Sequence, residues 1–147
     1  MQWQTPGFVP HQAKLGGQRV LVVENEALVA MAMEDALMDA GAEVVGPAYS
    51  VDAAMELIEV RLLDGGLNAA VLDINLDGEV VGPIADRLAA LGIPFVFATG
   101  YADTHGVGYD APLLQKPFEP GALVRAVEAL ACRQAGQDVT PCRGVSI

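Results

Sequence analysis

The sequence predicts an α/β fold built on a doubly wound, five-stranded parallel sheet. Short apolar runs of strand length alternate along the chain with segments whose apolar residues recur at helical spacing. The runs are apolar almost throughout, as in strands that are buried on both faces. Right-handed crossovers then place the intervening helices on both sides of the sheet. With 147 residues, 52% of them hydrophobic, the chain is long enough for one domain with a substantial core.

The first elements are a strand, a helix and a second strand. The first strand is predicted at Arg19–Val23, where the sequence is "RVLVV". In the segment that follows, Val29 and Leu37 belong to a series with helical spacing, and Gly41 offers a C-cap. The run "EVVG" at residues 43–46 predicts the second strand.

The middle of the chain continues this alternation. Ser50 is a candidate N-cap for a helix whose inner face holds Ala54, Leu57 and Ile58. Two glycines then break the chain, and "AAVLD" at Ala69–Asp73 predicts the third strand.

A third helix and a fourth strand follow. Ile84, Leu88 and Leu91 recur at helical spacing, and Gly92 closes the helix that they predict. The apolar run in residues 94–100 predicts the fourth strand.

The last elements are separated from the fourth strand by a polar segment. Residues 102–110 contain two glycines, so any helix there is expected to be short or absent. "PLLQ" at residues 112–115 predicts the fifth strand, and Leu123, Val127 and Leu130 line the last helix.

The composition of the chain limits its function and location. Residues 1–18 are expected to form a flexible N-terminal extension and residues 133–147 a flexible C-terminal tail, which leaves the domain at residues 19–132. A formal net charge of −11 argues against nucleic-acid binding. No apolar run has the length of a membrane span and no signal peptide precedes the domain, so a cytoplasmic location without membrane contact is expected.

The cysteines and histidines do not predict a metal site or a disulfide. Cys132 and Cys142 lie late in the chain, and two such residues are expected to be reduced thiols. His11 and His105 have no partners at metal-ligand spacing and are interpreted as ordinary polar residues.

Polar side chains follow four of the predicted strands. Glu24 and Asn25 follow the first strand, Asp73 ends the third, Thr99 ends the fourth and Lys116 follows the fifth. In a parallel sheet these ends lie at one edge, where ligands bind. Carboxylates with hard oxygen donors select Mg²⁺. A hydroxyl and an ammonium suit phosphoryl oxygens, and an Asp carboxylate can be a nucleophile that forms an acyl phosphate.

These pieces resemble a bacterial response-regulator receiver domain. The motifs "VLVVENE", "AAVLDINLDG", "PFVFATGY" and "LLQKPF" occur in the order and on the elements of that family. The resemblance implies a flavodoxin-like receiver fold with strand order 2-1-3-4-5. It also implies a single-domain response regulator in two-component phosphorelay signalling, which takes its phosphoryl group from a sensor histidine kinase or a histidine phosphotransfer protein. Such a protein signals by protein contact and is not a dedicated metabolic enzyme.

The resemblance also assigns a role to each site residue. Asp73 matches the phosphoacceptor, Thr99 the hydroxyl that follows the phosphoryl group, and Lys116 the phosphate-contacting lysine, whose bond to the next proline is cis in the family. Glu24 and Asn25 match the acidic pair that helps to hold Mg²⁺. The set of implied metal ligands is Glu24, Asn25, Asp73 and the backbone carbonyl of Asn75.

The sequence departs from the family at two positions, and one motif is similar to a subgroup of it. At the position of the family's second acid this chain has Asn25, so the implied Mg²⁺ site is expected to be weak. The position of the family's switch aromatic is Leu113, although an aromatic occurs at Tyr101. The sequence "FATGY" at residues 97–101 is similar to a subgroup with a Phe-Ala-Thr-Gly motif and a weak fourth helix.

Two other functions stay open at this point. Asn25 favours a pseudo-receiver, an interaction module that keeps the fold and signals without phosphate, whereas Asp73, Thr99 and Lys116 favour the phosphorylation switch. A nucleotide- or flavin-binding α/β protein is a weaker alternative, because the turn "ENEAL" has no glycine that would let backbone N–H groups approach a phosphate.

Overall fold

The computed structural model describes residues 14–76, 79–100 and 111–136. Within them, five parallel strands form one sheet in the order β2-β1-β3-β6-β7, which confirms the predicted 2-1-3-4-5 arrangement. Two further strands, β4 and β5, form a separate two-stranded antiparallel sheet. The elements are β1 (Arg19–Val23), α1 (Ala27–Asp39), β2 (Glu43–Ala48), α2 (Val51–Leu62), β3 (Ala69–Asp73), β4 (Asn75–Leu76), β5 (Glu79–Val80), α3 (Gly82–Ala90), β6 (Phe95–Thr99), β7 (Leu113–Gln115) and α4 (Pro120–Gly136).

The core lies on both faces of the sheet. Successive side chains of a strand point to opposite faces, so Val20 and Val22 of β1 pack with helices α1 and α4, and Leu21 and Val23 pack with α2 and α3. Both faces of β3 and β6 are buried, because all five residues of each strand are inaccessible or nearly so. The doubly wound prediction is therefore confirmed.

Local signals in the sequence set the helix ends. The Ser50 hydroxyl accepts a hydrogen bond from the backbone N–H of Ala53 at 3.1 Å, which confirms the predicted N-cap of α2. After α1, Gly41 adopts a φ of +96°, in the left-handed region that suits a residue just past a helix end. Helices α2 and α3 are joined by two hydrogen bonds from Arg87 to Glu59, and these bonds hold the pKa of the Glu59 carboxyl below its usual value.

The structure differs from the sequence predictions at four places, at both ends of the domain and at two points within it. Strand β2 continues to Ala48, beyond its predicted end at residue 46. The hairpin β4-β5 was not predicted, because two-residue strands carry no periodicity. Residues 14–18, assigned to the N-terminal extension, contain Leu15, which is fully buried among the side chains of α1 and α4.

Backbone hydrogen bonds explain why Leu15 belongs to the packed domain. Its N–H donates to the carbonyl of Ala40 at 2.7 Å, and the carbonyl of Gln18 accepts from Glu43 at 2.8 Å. Packing therefore begins before the predicted domain start at Arg19. At the other end α4 continues to Gly136, past residue 132.

Several predicted features lie outside the described residues. They are most of the N-terminal extension, the end of the C-terminal tail, the polar segment at residues 102–110, and the residues His11, Tyr101, His105 and Cys142. In the described part of the chain, no helix combines the length and the apolar character that crossing a membrane requires.

Candidate functional site

The parallel strands bring the predicted residues to one edge of the sheet. Val23 of β1 lies opposite Leu72 of β3, so Glu24 follows its strand at the level of Asp73. Asp73 in turn pairs in register with Ala98 of β6, one residue before Thr99. The spatial grouping that the sequence analysis expected is therefore present in the structure.

Lys116 is the cation of this edge. Its ammonium Nζ lies 2.7 Å from Glu24 Oε1 and 3.5 Å from Asp73 Oδ2. The lysine side chain is 14% exposed, and the Glu24 and Asp73 side chains are 0% and 6% exposed. One ammonium thus sits between two buried carboxylates, with the stronger bond directed to Glu24.

The carboxylate of Glu24 has protein donors on both oxygens. Lys116 donates to Oε1, and the backbone N–H of Glu26 donates to Oε2 at 3.1 Å. The Glu24 backbone N–H donates to the Ala48 carbonyl at 3.0 Å, which fixes the end of β1 against the end of β2. A buried carboxylate requires such partners, because an unpaired charge in an apolar interior is costly.

The turn after β7 fixes the position of Lys116. Its backbone N–H donates to the carbonyl of Thr99 at 2.6 Å. The Lys116–Pro117 bond is cis, as the resemblance implies. Thr99 is buried, with 6% of its surface exposed. The lysine and the threonine are therefore tied to each other through the backbone as well as by their strands.

This edge of the sheet carries residue types that can bind Mg²⁺. Asp73 offers a carboxylate, Asn25 is half-buried beside the end of β1, and Asn75 begins β4 two residues after Asp73. Carboxylate, amide and carbonyl oxygens are the ligands that Mg²⁺ takes. Within residues 14–76, 79–100 and 111–136, no three His, Cys, Asp or Glu side chains form a metal-binding group. The donor types are those that Mg²⁺ takes, and Glu24, whose two oxygens both accept hydrogen bonds from protein groups, is the least available of them.

An apolar recess adjoins the site. It has a volume of about 500 Å³ and lies between the start of α1 and the turn after Lys116. Its wall includes Leu28, Val29, Ala32, Pro117 and Phe118. Leu28 is 81% exposed, so the recess opens to solvent beside an unprotected apolar side chain. Neither the recess nor the Glu24–Lys116 pair was predicted, although the apolar residues after "ENE" and the opposite charges at two strand ends were visible in the sequence.

Known structures share the fold of this chain. The solution structure of SdrG from Sphingomonas melonis Fr1 is 43% identical, has a TM-score of 0.64 and is similar over 77% of this chain and 95% of that one. The crystal structure of a response regulator receiver protein from Sinorhizobium medicae WSM419 is 25% identical, with a TM-score of 0.69 over 82% and 98% of the two chains. The chain belongs to the response-regulator receiver domains.

A curated relative of this receiver domain is longer than the chain. The transcriptional regulatory protein PdtaR of Mycobacterium tuberculosis is 30% identical over 129 residues, which cover 79% of the receiver domain's chain and 58% of the relative. The chain therefore spans little more than half the length of that relative. No protein-family model matches the chain.

Proposed function

We propose that this receiver domain is a phosphorylation switch in which Asp73 accepts a phosphoryl group from a histidine. Receiver domains are signalling modules that work with kinases or phosphotransfer proteins, and they are not dedicated metabolic enzymes. The observation that carries the proposal is the position of the Lys116 ammonium, 3.5 Å from Asp73 Oδ2. A cation held beside a buried carboxylate is suited to a phosphoryl group formed on that carboxylate.

The proposed step is a nucleophilic displacement. An oxygen of Asp73 forms a bond to phosphorus while the bond from phosphorus to the donor's imidazole nitrogen breaks, which leaves an acyl phosphate and a neutral histidine. Lys116 places positive charge at the phosphoryl oxygens, and the Thr99 hydroxyl supplies a hydrogen bond. Lys116 already lies beside Asp73, so it needs little rearrangement during the reaction.

Mg²⁺ is the proposed cofactor of this step. When bound, it supplies positive charge near the phosphoryl oxygens. The residues that would hold it are Asp73, Asn25 and the carbonyl of Asn75, with Glu24 as the fourth candidate from the family resemblance. Because Asn25 offers a dipole where the family has a carboxylate, we expect weak binding, in the millimolar range or poorer, and slow phosphorylation.

The proposed phosphodonor is a sensor histidine kinase or a histidine phosphotransfer protein. The apolar recess beside Lys116 supports contact with a protein donor, because exposed apolar surface next to a polar site is typical of protein-binding surfaces. Leu28 and Phe118 are among the residues that line it. A cytoplasmic location is proposed with this partner, since a soluble phosphodonor domain must reach the recess.

Mass spectrometry after exposure to a small phosphodonor with Mg²⁺ tests the phosphoacceptor. We expect one added phosphoryl group that hydroxylamine removes, because acyl phosphates are labile. The variant Asp73→Ala should gain none, and Asp52→Ala, which removes an aspartate from the first turn of α2, serves as the matched control. Phosphate uptake by Asp73→Ala at the wild-type rate would show that Asp73 is not the acceptor.

The signal is proposed to leave through the surface around β7 and α4. If the Thr99 hydroxyl moves to the phosphoryl group, it vacates space that a neighbour can fill, and Tyr101 is the candidate from the sequence. Amide hydrogen exchange with and without a phosphate mimic measures the change. Unchanged protection across residues 99–125 would rule out this route.

A pseudo-receiver that signals without phosphate is the second candidate function. The observations that favour it are Asn25 at the implied metal site and the hydrogen bonds that Lys116 and Glu26 already make to the two Glu24 oxygens. Complete absence of phosphorylation in wild-type protein, together with retained partner binding by Asp73→Ala, would favour this function over the switch.

A further inference from the structure

The two acids near Lys116 have different surroundings. Glu24 is fully buried and its Oε1 is 2.7 Å from the ammonium, within the range of a charge-assisted hydrogen bond. Asp73 Oδ2 is 3.5 Å from the same ammonium, beyond the ordinary N–H···O range. The strong bond of Lys116 is therefore made to the acid that is not the phosphoacceptor.

Glu24 also has little room for a metal ion. Each of its oxygens already accepts one hydrogen bond, and although each keeps a second lone pair, no part of the residue is accessible to a water-sized sphere. Mg²⁺ binds its ligands at about 2.0–2.1 Å and keeps several waters. Coordination by Glu24 would therefore require the buried side chain or its partners to move.

We infer that Glu24 is the positioning residue of Lys116 and is not a ligand of the metal in this chain. This inference rests on the proposed function, because it assigns Glu24 a different task at the same site. The carboxylate holds the ammonium beside Asp73 and is neutralised by it. Asp73 is then the one acid of the pair Glu24 and Asp73 that is left to bind an incoming cation. The amide oxygen of Asn25 can assist it.

Under this inference, Asn25 in place of the family's acid removes a larger share of the negative charge available to the metal. In a site where Glu24 ligates the metal, Asn25 would remove one carboxylate of three. If Glu24 is committed to Lys116, Asp73 is the one carboxylate that remains among Glu24, Asn25 and Asp73. The weakness of the metal site then has two causes, the amide of Asn25 and the pairing of Glu24.

A double-mutant cycle in metal-free, unphosphorylated protein tests the pairing. Urea unfolding in EDTA is measured for wild type, Glu24→Gln, Lys116→Met and the double variant. We expect the coupling between positions 24 and 116 to change the unfolding equilibrium constant by at least about tenfold, as for residues in one buried network. The same cycle for Asp73→Asn and Lys116→Met should give a smaller coupling. Equal or reversed couplings would overturn the inference.

The isoelectric double variant tests whether Glu24 is a ligand. Glu24→Gln with Lys116→Met removes one negative and one positive charge together, so the net charge near the metal is unchanged. We expect the Kd for Mg²⁺, measured by calorimetry, to stay within about threefold of wild type, whereas Asp73→Asn should weaken binding by about tenfold or more. A loss in the double variant as large as that in Asp73→Asn would show that Glu24 is a ligand.

The ammonium of Lys116 provides a spectroscopic measurement that does not depend on any variant. In ¹⁵N-labelled wild-type protein, its ammonium protons should exchange slowly with water, in contrast to those of exposed Lys14, and should stay slow at saturating Mg²⁺. Exchange as fast as that of Lys14 in metal-free protein, or its onset when Mg²⁺ binds, would refute the pairing. These measurements use unphosphorylated protein. Their results can therefore be interpreted even if Asp73 proves not to be phosphorylated.

Discussion

Strand β1 carries an ion pair at each of its ends, and the two pairs differ in their surroundings. At the amino end, Arg19 Nε lies 3.3 Å from Glu43 Oε1, with 27% and 52% of the two side chains exposed. At the carboxyl end, Glu24 Oε1 lies 2.7 Å from Lys116 Nζ, with 0% and 14% exposed. The first pair is exposed to solvent, whereas the second is enclosed by the sheet and the turn after β7.

The two ends of the strand make contacts of different kinds. Arg19 also donates to the carbonyl of Asp64, and its backbone N–H donates to the Asn68 side chain at 2.7 Å, so its contacts join β1 to the loop before β3. Those contacts serve the fold. A buried ion pair adds little stability compared with apolar side chains of the same volume. Its presence at the carboxyl end agrees with the proposed role of Lys116 beside Asp73.

The largest effect should come from removing the cation at the buried end. Lys116→Met leaves the Glu24 charge enclosed without its partner, and we expect the free energy of unfolding to fall by about 3–5 kcal/mol. Urea denaturation without metal measures the loss. The control is Lys14→Met, which makes the same change at an exposed position and should alter stability by less than about 0.5 kcal/mol. Equal losses of unfolding free energy in Lys116→Met and Lys14→Met would mean that the burial of the Glu24–Lys116 pair does not affect its contribution to stability.

A second effect concerns the metal. Asn25→Asp restores a carboxylate beside Asp73, and we expect Mg²⁺ binding to tighten by roughly tenfold, about 1.4 kcal/mol. The added charge also repels its neighbours in the absence of metal, so the metal-free protein should be less stable. Calorimetry gives the affinity and urea denaturation gives the stability. If Asn25→Asp changes neither Mg²⁺ affinity nor phosphorylation rate, position 25 is not at the metal, and the pseudo-receiver function gains support.

Much of the carboxyl end could be predicted from the sequence, because position along a parallel strand decides which residues meet. Asp73, Thr99 and Lys116 each follow or end an apolar run, so their strands alone bring them to one edge. The sequence could not show which acid Lys116 prefers. That choice depends on differences of less than 1 Å between two contacts, which no pattern of residue types encodes.

The limits of the fold prediction have similar causes. Leu15 was assigned to a flexible extension because a single apolar residue among polar ones has no period, yet one hydrogen bond to Ala40 and a site against α1 and α4 hold it in the core. Strand β2 was ended too early at Gly46, because a glycine followed by a proline usually marks a turn. Gly46 adopts a φ of +103°, and a Cβ there would lie 2.8 Å from the Ala48 nitrogen, so the strand continues through a conformation that suits glycine.

A smaller effect is expected from the acid that shares Lys116. Asp73→Asn removes a charge that is nearly enclosed and that competes with Glu24 for one ammonium. We expect the metal-free protein to become more stable by about 1 kcal/mol, an ordinary size for one residue, while phosphorylation is lost. Thermal unfolding in EDTA checks the sign. Destabilisation instead would show that the contacts of the Asp73 carboxylate contribute net stability to the metal-free protein, contrary to this prediction.

The smallest effect should come from the exposed end of β1. Glu43→Gln removes the charge of the acid that faces Arg19 but keeps its length, and exposed pairs of this kind contribute about 0–1 kcal/mol. We expect a loss of at most about 0.5 kcal/mol at low salt that disappears near 1 M NaCl, where the screening length falls to about 3 Å. At the other end of the strand, the loss of stability caused by Lys116→Met should persist at the same salt, because enclosed charges are screened far less. Urea titrations of Glu43→Gln and Lys116→Met at two salt concentrations measure both. A salt-sensitive buried pair would mean that water reaches Glu24, and the commitment of that acid to Lys116 would have to be abandoned.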